Sequence, residues 1–301
     1  MSVSLDQLTL LITQHLIKAS QELEEPLVKQ LHLMREKTHK ALLELPQSET
    51  KAIGKTSSSL EVLDAIITNL ELSQTHHIPM CQDTGMVVGV IEMGKNLPVS
   101  MHDIESAIIE GIKGAETKGL FRFSVVDDPL YERVNLNTNA APILYWETSE
   151  HSSLTIHLML KGFGSENCSR LVMLNPTSTP KDVIASVAQA VQDAQGKPCP
   201  PVVVGVGLGG TAERSLLLSK KALFRETGKS HVDPRYAELE SALKEAIDHT
   251  TVGPGGFGGP FTALAVAVET EPTHIAGLPV GISISCWADR KTTISIGYDH
   301  D

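Results

Sequence analysis

Between residues 4 and 46 the apolar positions fall at three- and four-residue steps. Leu8, Ile12 and Leu16, then Leu23, Leu27, Leu31 and Met34, recur with Glu, Gln and Lys between them until Pro46. That period marks one face of an α-helix, and Pro26 predicts a division into two helices. The run LEVLDAIITNLELS (60 to 73) predicts a further helix, broken at His76-His77-Ile78-Pro79. From residue 86 the texture changes. MVVGVIEM reads as a strand and DIESAIIEGIKGAETKG as an amphipathic helix, while APILYWET and SLTIHLMLKG form a pair of strands around polar Ser149-Glu150-His151-Ser152. A helix fits KDVIASVAQAVQDAQG (181 to 196), stopped by Gly196 and Pro198. The strand PPVVVGVGLGG then leads into the helix TAERSLLLSKKALF, and residues 226 to 240 form a loop and helix start. A glycine-rich loop, Gly253 to Pro260, precedes the apolar runs TALAVAVE and LPVGISISCW. The expected fold class is α/β, with mixed sheets, packed helices and an N-terminal helical region. No internal repeat or long low-complexity linker interrupts it. The expectation is one domain over 1–301, helical over 1–75 and α/β over 76–301.

Composition narrows the function classes. Lys and Arg number 25 against 36 Asp and Glu, a net charge of −11, with 41 % hydrophobic residues in 301. Nucleic-acid and anionic-membrane surfaces draw affinity from an excess of Lys and Arg, which is missing here. An anionic ligand must then be held by a few local cations. No stretch is long and apolar enough for a transmembrane helix, and the N-terminus lacks the pattern of a secretory signal, so a cytoplasmic location is expected. The four cysteines, Cys81, Cys168, Cys199 and Cys286, are too few and too dispersed for a disulfide scaffold.

Two glycine patterns are candidate anion cradles. Gly205, Gly207 and Gly210 satisfy the Gly-x-Gly-x-x-Gly of a dinucleotide fingerprint. The second strand with an acidic end that such a unit requires is missing around Glu226 to Asp233. The bland reading is that these glycines let another backbone pass close by. The loop 253 to 260 lacks the Gly-Lys-Ser/Thr ending of a nucleotide loop, and suits a tight turn near a carboxylate or at a subunit interface.

Three cysteines stand at strand boundaries: Cys81 in PMCQDTGM, Cys199 in GKPCPPVV and Cys286 in ISISCWADR. Loops at strand ends present functional groups, although a single cysteine is commonly a small core residue. Cys168, among polar neighbours, reads as a partly exposed thiol. The closest two cysteines, 168 and 199, are 31 positions apart, unlike the close pairs of structural zinc sites. Widely separated thiolates suit an iron-sulfur cube, in which three protein ligands leave one iron as a Lewis acid.

Four ordered segments carry a resemblance. Cys81-Gln82-Asp83-Thr84-Gly85, LKGFGSEN (160 to 167), Cys199-Pro200-Pro201 followed by VVVGVGLGGTAE, and LPVGISISCWADR (278 to 290) resemble the iron-sulfur fumarate hydratases and L-tartrate dehydratases. The likeness runs from about residue 50 to 295, and the length resembles that of the separate α subunit. The resemblance implies a [4Fe-4S] cluster on Cys81, Cys199 and Cys286, with Cys168 outside the ligand set. It implies that Gln82 donates to a substrate carboxylate and that Asp83 handles the proton of the hydroxyl or water. Arg122, in KGLFRFSV, would clamp a carboxylate, the task for which a guanidinium is suited. Gly164 would bring its backbone to the substrate, although Phe163 replaces a glycine common in this motif. His274, twelve residues before Cys286, resembles an active-site histidine.

The implied activity is reversible hydration of a four-carbon dicarboxylate, with fumarate first and tartrate second. The base and further cations are expected from a β subunit, in an αβ or α2β2 complex, so the chain alone would be inactive. No nucleic-acid or membrane partner is expected. Two readings from other classes remain at this point, an NAD-binding oxidoreductase and a non-catalytic scaffold.

Overall fold

The computed structural model describes residues 4–297. The N-terminal region is helical, as the periodicity predicts: α1 (Leu5–Gln21), α2 (Glu25–Glu44) and α3 (Thr50–His76). Pro26 sits in the first turn of α2, where its missing N–H costs nothing, so it opens the second helix. Ser4 caps α1 in a reciprocal box with Gln7, each side chain bonding the other's backbone amide.

The chain divides into two compact units. Among the described residues the first comprises 4–23, 70–163 and 289–297. Its four-stranded sheet contains β1 (Met86–Met93), β2 (Ile143–Thr148), β3 (Ser153–Lys161) and β8 (Lys291–Gly297), in the order β2-β1-β3-β8. β2 and β3 are strands as expected, but they do not pair with each other. β1 lies between them, parallel to β2 and antiparallel to β3. The five central residues of β1, Val87 to Ile91, are all buried, as suits an interior strand. Helix α1 and α4 (Met101–Lys118) contribute Leu8, Ile12, Leu16, Ile104, Ile108 and Ile112 to a core with Val87, Ile91, Leu154, Ile156 and Leu158.

The second unit comprises residues 24–69 and 164–288. Its sheet, β4 (Arg170–Leu174), β5 (Val202–Gly210), β6 (Ala263–Thr273) and β7 (Leu278–Ser285), runs in the order β4-β7-β5-β6. It also holds α2, most of α3, and the helices α6 (Pro180–Ala194), α7 (Ala212–Phe224) and α8 (Pro234–Asp248). Val202, Val204 and Val206 of β5 join Val187, Val191, Leu243 and Ile247 of α6 and α8 in one core. The alternate residues face α7. A Cβ on Gly205 would lie 2.0 Å from the Ser219 carbonyl oxygen, and one on Gly207 would lie 2.0 Å from that of Ser215. Gly205 and Gly207 are therefore filled by the backbone of α7, as the bland reading expects, while Gly210 stands against the Arg214 side chain. Because both faces of β5 are covered, it reads as a continuous apolar run.

The loop after α8 is likewise closed on itself. A Cβ on Gly253 would meet the Gly258 carbonyl at 1.9 Å, and the Ser59 hydroxyl of α3 donates to that same carbonyl.

Candidate active site

In the first unit, one end of the sheet gathers three loops. Residues 81–85 lead into β1, Gly162 and Phe163 follow β3, and Asp289 and Arg290 precede β8. The pairings Met86 with Lys161 and Met159 with Lys291 place all three at the same sheet end. Gly85 adopts φ +85°, and a Cβ on it would fall 2.8 Å from the Leu160 carbonyl carbon. Only glycine suits that position.

Asp83 is held from several sides. Its Oδ1 accepts the Gly85 amide at 3.0 Å and its Oδ2 the Phe163 amide at 2.9 Å. Each carboxylate oxygen keeps a further lone pair. The guanidinium of Arg290, 1 % exposed, donates to the Asp83 carbonyl at 2.7 Å. Gln82 is exposed beside it, and Cys81 is half-buried.

Arg122 belongs to the same unit and is tied to the same loop. Thr84, fully buried, donates its hydroxyl to the Arg122 carbonyl at 3.1 Å and accepts the Arg122 amide at 3.1 Å. Asn139 adds a third bond, Nδ2 to the Arg122 carbonyl at 2.8 Å. The Arg122 residue itself is exposed. The structure thus ties the Asp83–Thr84 loop to Arg122 by hydrogen bonds through Thr84, with Gln82 exposed on the same loop. The roles of Thr84, Asn139 and Arg290 are not legible in the sequence because each works through the backbone of a distant residue. The one available signal was the presence of Thr84 and Arg290 inside the two cysteine motifs.

In the second unit, Cys199 and Cys286 lie at one end of the sheet. The antiparallel register sets Val203 opposite Ser285, so the start of β5 and the finish of β7 coincide. The Trp287 amide donates to the Cys199 carbonyl at 3.4 Å, and the Gly255 amide to the Pro200 carbonyl at 2.8 Å. Cys199 has φ +52° and precedes a cis Pro200-Pro201 bond. Gly164, exposed in the short helix α5 (Phe163–Glu166), stands near the Lys197 carbonyl, 3.2 Å from where its Cβ would be.

One expectation is corrected here. Cys168 is 7 % exposed and belongs to the apolar core, with its Sγ 3.5 Å from the Gly164 carbonyl, so it is buried rather than partly exposed. His274 lies in the exposed turn before β7, its Nδ1 accepting the Ala276 amide at 3.2 Å. Cys286 follows the other end of that strand. Eight extended residues put the two on the order of 25 Å apart. Within this unit His274 and Cys286 stand at opposite ends of β7, because an extended strand carries its ends apart.

All four cysteines are thiols. Soft thiolates are the donors that iron-sulfur clusters take, and the paired segments of Cys199 and Cys286 fit that chemistry. Among the described residues no three His, Cys, Asp or Glu side chains converge as they would on a single ion. No helix among the described residues is long and apolar enough to cross a membrane.

Comparison with known proteins points the same way. A family model described as fumarate hydratase (Fumerase) matches residues 20–295. The chain is 40 % identical over 265 residues to a provisionally named L(+)-tartrate dehydratase subunit alpha of Methanocaldococcus jannaschii, covering 86 % of this chain and 90 % of that one. It is 27 % identical over 262 residues to the L(+)-tartrate dehydratase subunit alpha of Escherichia coli, covering 86 % of this chain and 84 % of that one. The subunit of the same name from Shigella boydii matches equally.

Proposed function

Since the chain belongs to the fumarate hydratase family, whose model spans residues 20–295, we propose that it is the α subunit of a cytoplasmic [4Fe-4S] hydro-lyase that interconverts fumarate and malate. Cys81, Cys199 and Cys286 would hold the cluster. When bound, it supplies a Lewis acid that makes hydroxide a better leaving group. The observation that carries the reading is the placement of the motif residues. Cys199 and Cys286 meet at one sheet end, joined by the Trp287 amide, and Asp83 and Arg122 are locked together through Thr84.

The chain's own residues divide the remaining work. Arg122 clamps a substrate carboxylate through a guanidinium whose backbone cannot drift. Gln82, exposed on the same loop, donates to a carboxylate, and the Gly164 backbone lines the approach. Asp83, oriented by two amides, accepts the proton of the hydroxyl or water on its remaining lone pairs. The base for the carbon-bound proton comes from a β subunit, in an αβ or α2β2 complex, so the chain alone is inactive. His274, exposed in the turn before β7, is carried as an active-site residue on the resemblance alone.

L-tartrate dehydration is the second reading, favoured by the names of the relatives at 40 % and 27 % identity. Anaerobic co-purification with the β partner, followed by turnover assays on malate and tartrate, decides between them, and turnover of neither would sink both. The same preparation is expected to be brown, with about four irons per α chain, and to lose them in each Cys→Ser variant of 81, 199 and 286. A colourless protein after anaerobic reconstitution would remove the cluster from the proposal.

A further inference from the structure

The segment after α4 lacks regular strand or helix from residue 119 to 142, apart from one isolated bridge between Val126 and Asn135. A few of its backbone groups pair with other backbone, as the Asp127 amide does with the Val134 carbonyl, and others take side-chain partners. At Arg122 it finds them densely. The Thr84 hydroxyl both donates to the Arg122 carbonyl and accepts the Arg122 amide, each at 3.1 Å. Asn139, 1 % exposed, donates to the same carbonyl at 2.8 Å and accepts the Ser124 amide at 2.8 Å. Asn139 is itself anchored, because its amide donates to the carboxylate of Glu116, a residue of α4 that is 6 % exposed. On one side Phe121 fixes the chain by entering the core beside α1 and α4. The main chain of Arg122 is thus clamped while its side chain stays exposed.

From this we infer that Thr84 is a positioning residue for substrate binding. Its one hydroxyl joins the loop that carries Asp83 to the segment that carries Arg122, and so sets where the guanidinium meets a substrate carboxylate. Thr84 itself touches no substrate. The inference rests on the proposed role of Arg122 as carboxylate clamp. Replacing Thr84 by Val keeps the buried shape but leaves the Arg122 amide without its acceptor, and the segment must shift to recover one. A clamp displaced in this way weakens binding of substrate and transition state alike, which raises KM and spares kcat.

The test uses the anaerobically purified complex with its second subunit. Steady-state kinetics on malate are paired with calorimetric binding of succinate, a four-carbon dicarboxylate with no hydroxyl to lose. Thr84→Val is expected to raise KM and the succinate Kd by roughly three- to tenfold, with kcat within about twofold and iron content unchanged. Thr84→Ser, which keeps the hydroxyl, restores both. A variant that lowers kcat with no change in KM or Kd, or a Ser variant as defective as the Val variant, overturns the inference. Arg122→Ala separates the two levels. If it raises KM and Kd while Thr84→Val does not, the positioning role falls and the clamp stands. If Arg122→Ala changes neither, the clamp reading falls and takes the inference with it. Should Thr84→Val fail to accumulate, Asn139→Ala removes a bond to the same carbonyl and is expected to give the same split between KM and kcat.

Discussion

Substituting Gly207 by alanine tests whether the glycine pattern of β5 serves packing or a ligand. The added Cβ would lie 2.0 Å from the Ser215 carbonyl oxygen and 2.6 Å from both the Leu218 Cβ and the Ser219 amide nitrogen. Ordinary contact begins near 3.4 Å, so the two elements must separate by about 1.4 Å, and the obstacles are backbone atoms with no rotamer to change. Such a gap weakens the dispersion contacts of Leu218, Ala222 and Leu223, which are among the buried residues of α7. The expected loss is about 3 kcal/mol or more, at or above the upper end for overpacked cores, and a fall in Tm of roughly 5–10 °C. Gly54, in the interior of α3, has no atom within 4 Å of its would-be Cβ. Gly54→Ala should therefore stabilise the chain by about 0.5–1 kcal/mol through helix propensity alone. Thermal and urea denaturation followed by far-ultraviolet circular dichroism measure both. A Gly207→Ala chain that melts within about 1 °C of the parent would refute the packing argument and return these glycines to a ligand role.

Two further perturbations probe the second unit. Arg214 holds the Glu271 carboxyl below its ordinary value of 4.5, chiefly through the side-chain hydrogen bond from Nε at 2.7 Å. A depressed folded-state pKa contributes stability that is complete above the unfolded value and is lost as pH falls through the folded one. Glu271→Gln should lower the urea midpoint at pH 7 by an amount worth at most about 1 kcal/mol, since the pair is about one-third exposed, and the deficit should shrink below pH 4.5; a deficit independent of pH would contradict this. Cys168→Ser places a hydroxyl in the core beside the valines of α6 and should cost about 1–2 kcal/mol in urea denaturation with no change in iron content. Loss of iron in that variant would show that Cys168 is more than a core residue.

Much of the candidate site was readable because it is local. Cys81 to Gly85 is one turn, and its glycine, acid and threonine are adjacent in the chain. The Arg122 segment was readable only as a cation with suitable chemistry. That Thr84 holds it depends on a pairing 38 residues apart, and no periodicity carries information at that range. Arg290 went unread for the same reason, since its partner is the Asp83 carbonyl 207 positions away. β4 and β8 were missed because edge strands alternate weakly: RLVML is mostly exposed, and KTTISIG mixes buried with open positions.

The pattern of apolar residues by itself determined the helices, the interior strands and the α/β class, because burial on one face demands a period of 3.6 or 2 whatever the partner. The cysteine motifs were singled out by the residues themselves and by their resemblance to a family. Only the tertiary structure decided that β1 separates β2 from β3, that α7 fills the glycine pattern, and that Cys199 and Cys286 share a sheet end while His274 lies at the other. Those outcomes depend on strand order and register, which follow from backbone pairing between distant segments and leave no mark on the composition of either one.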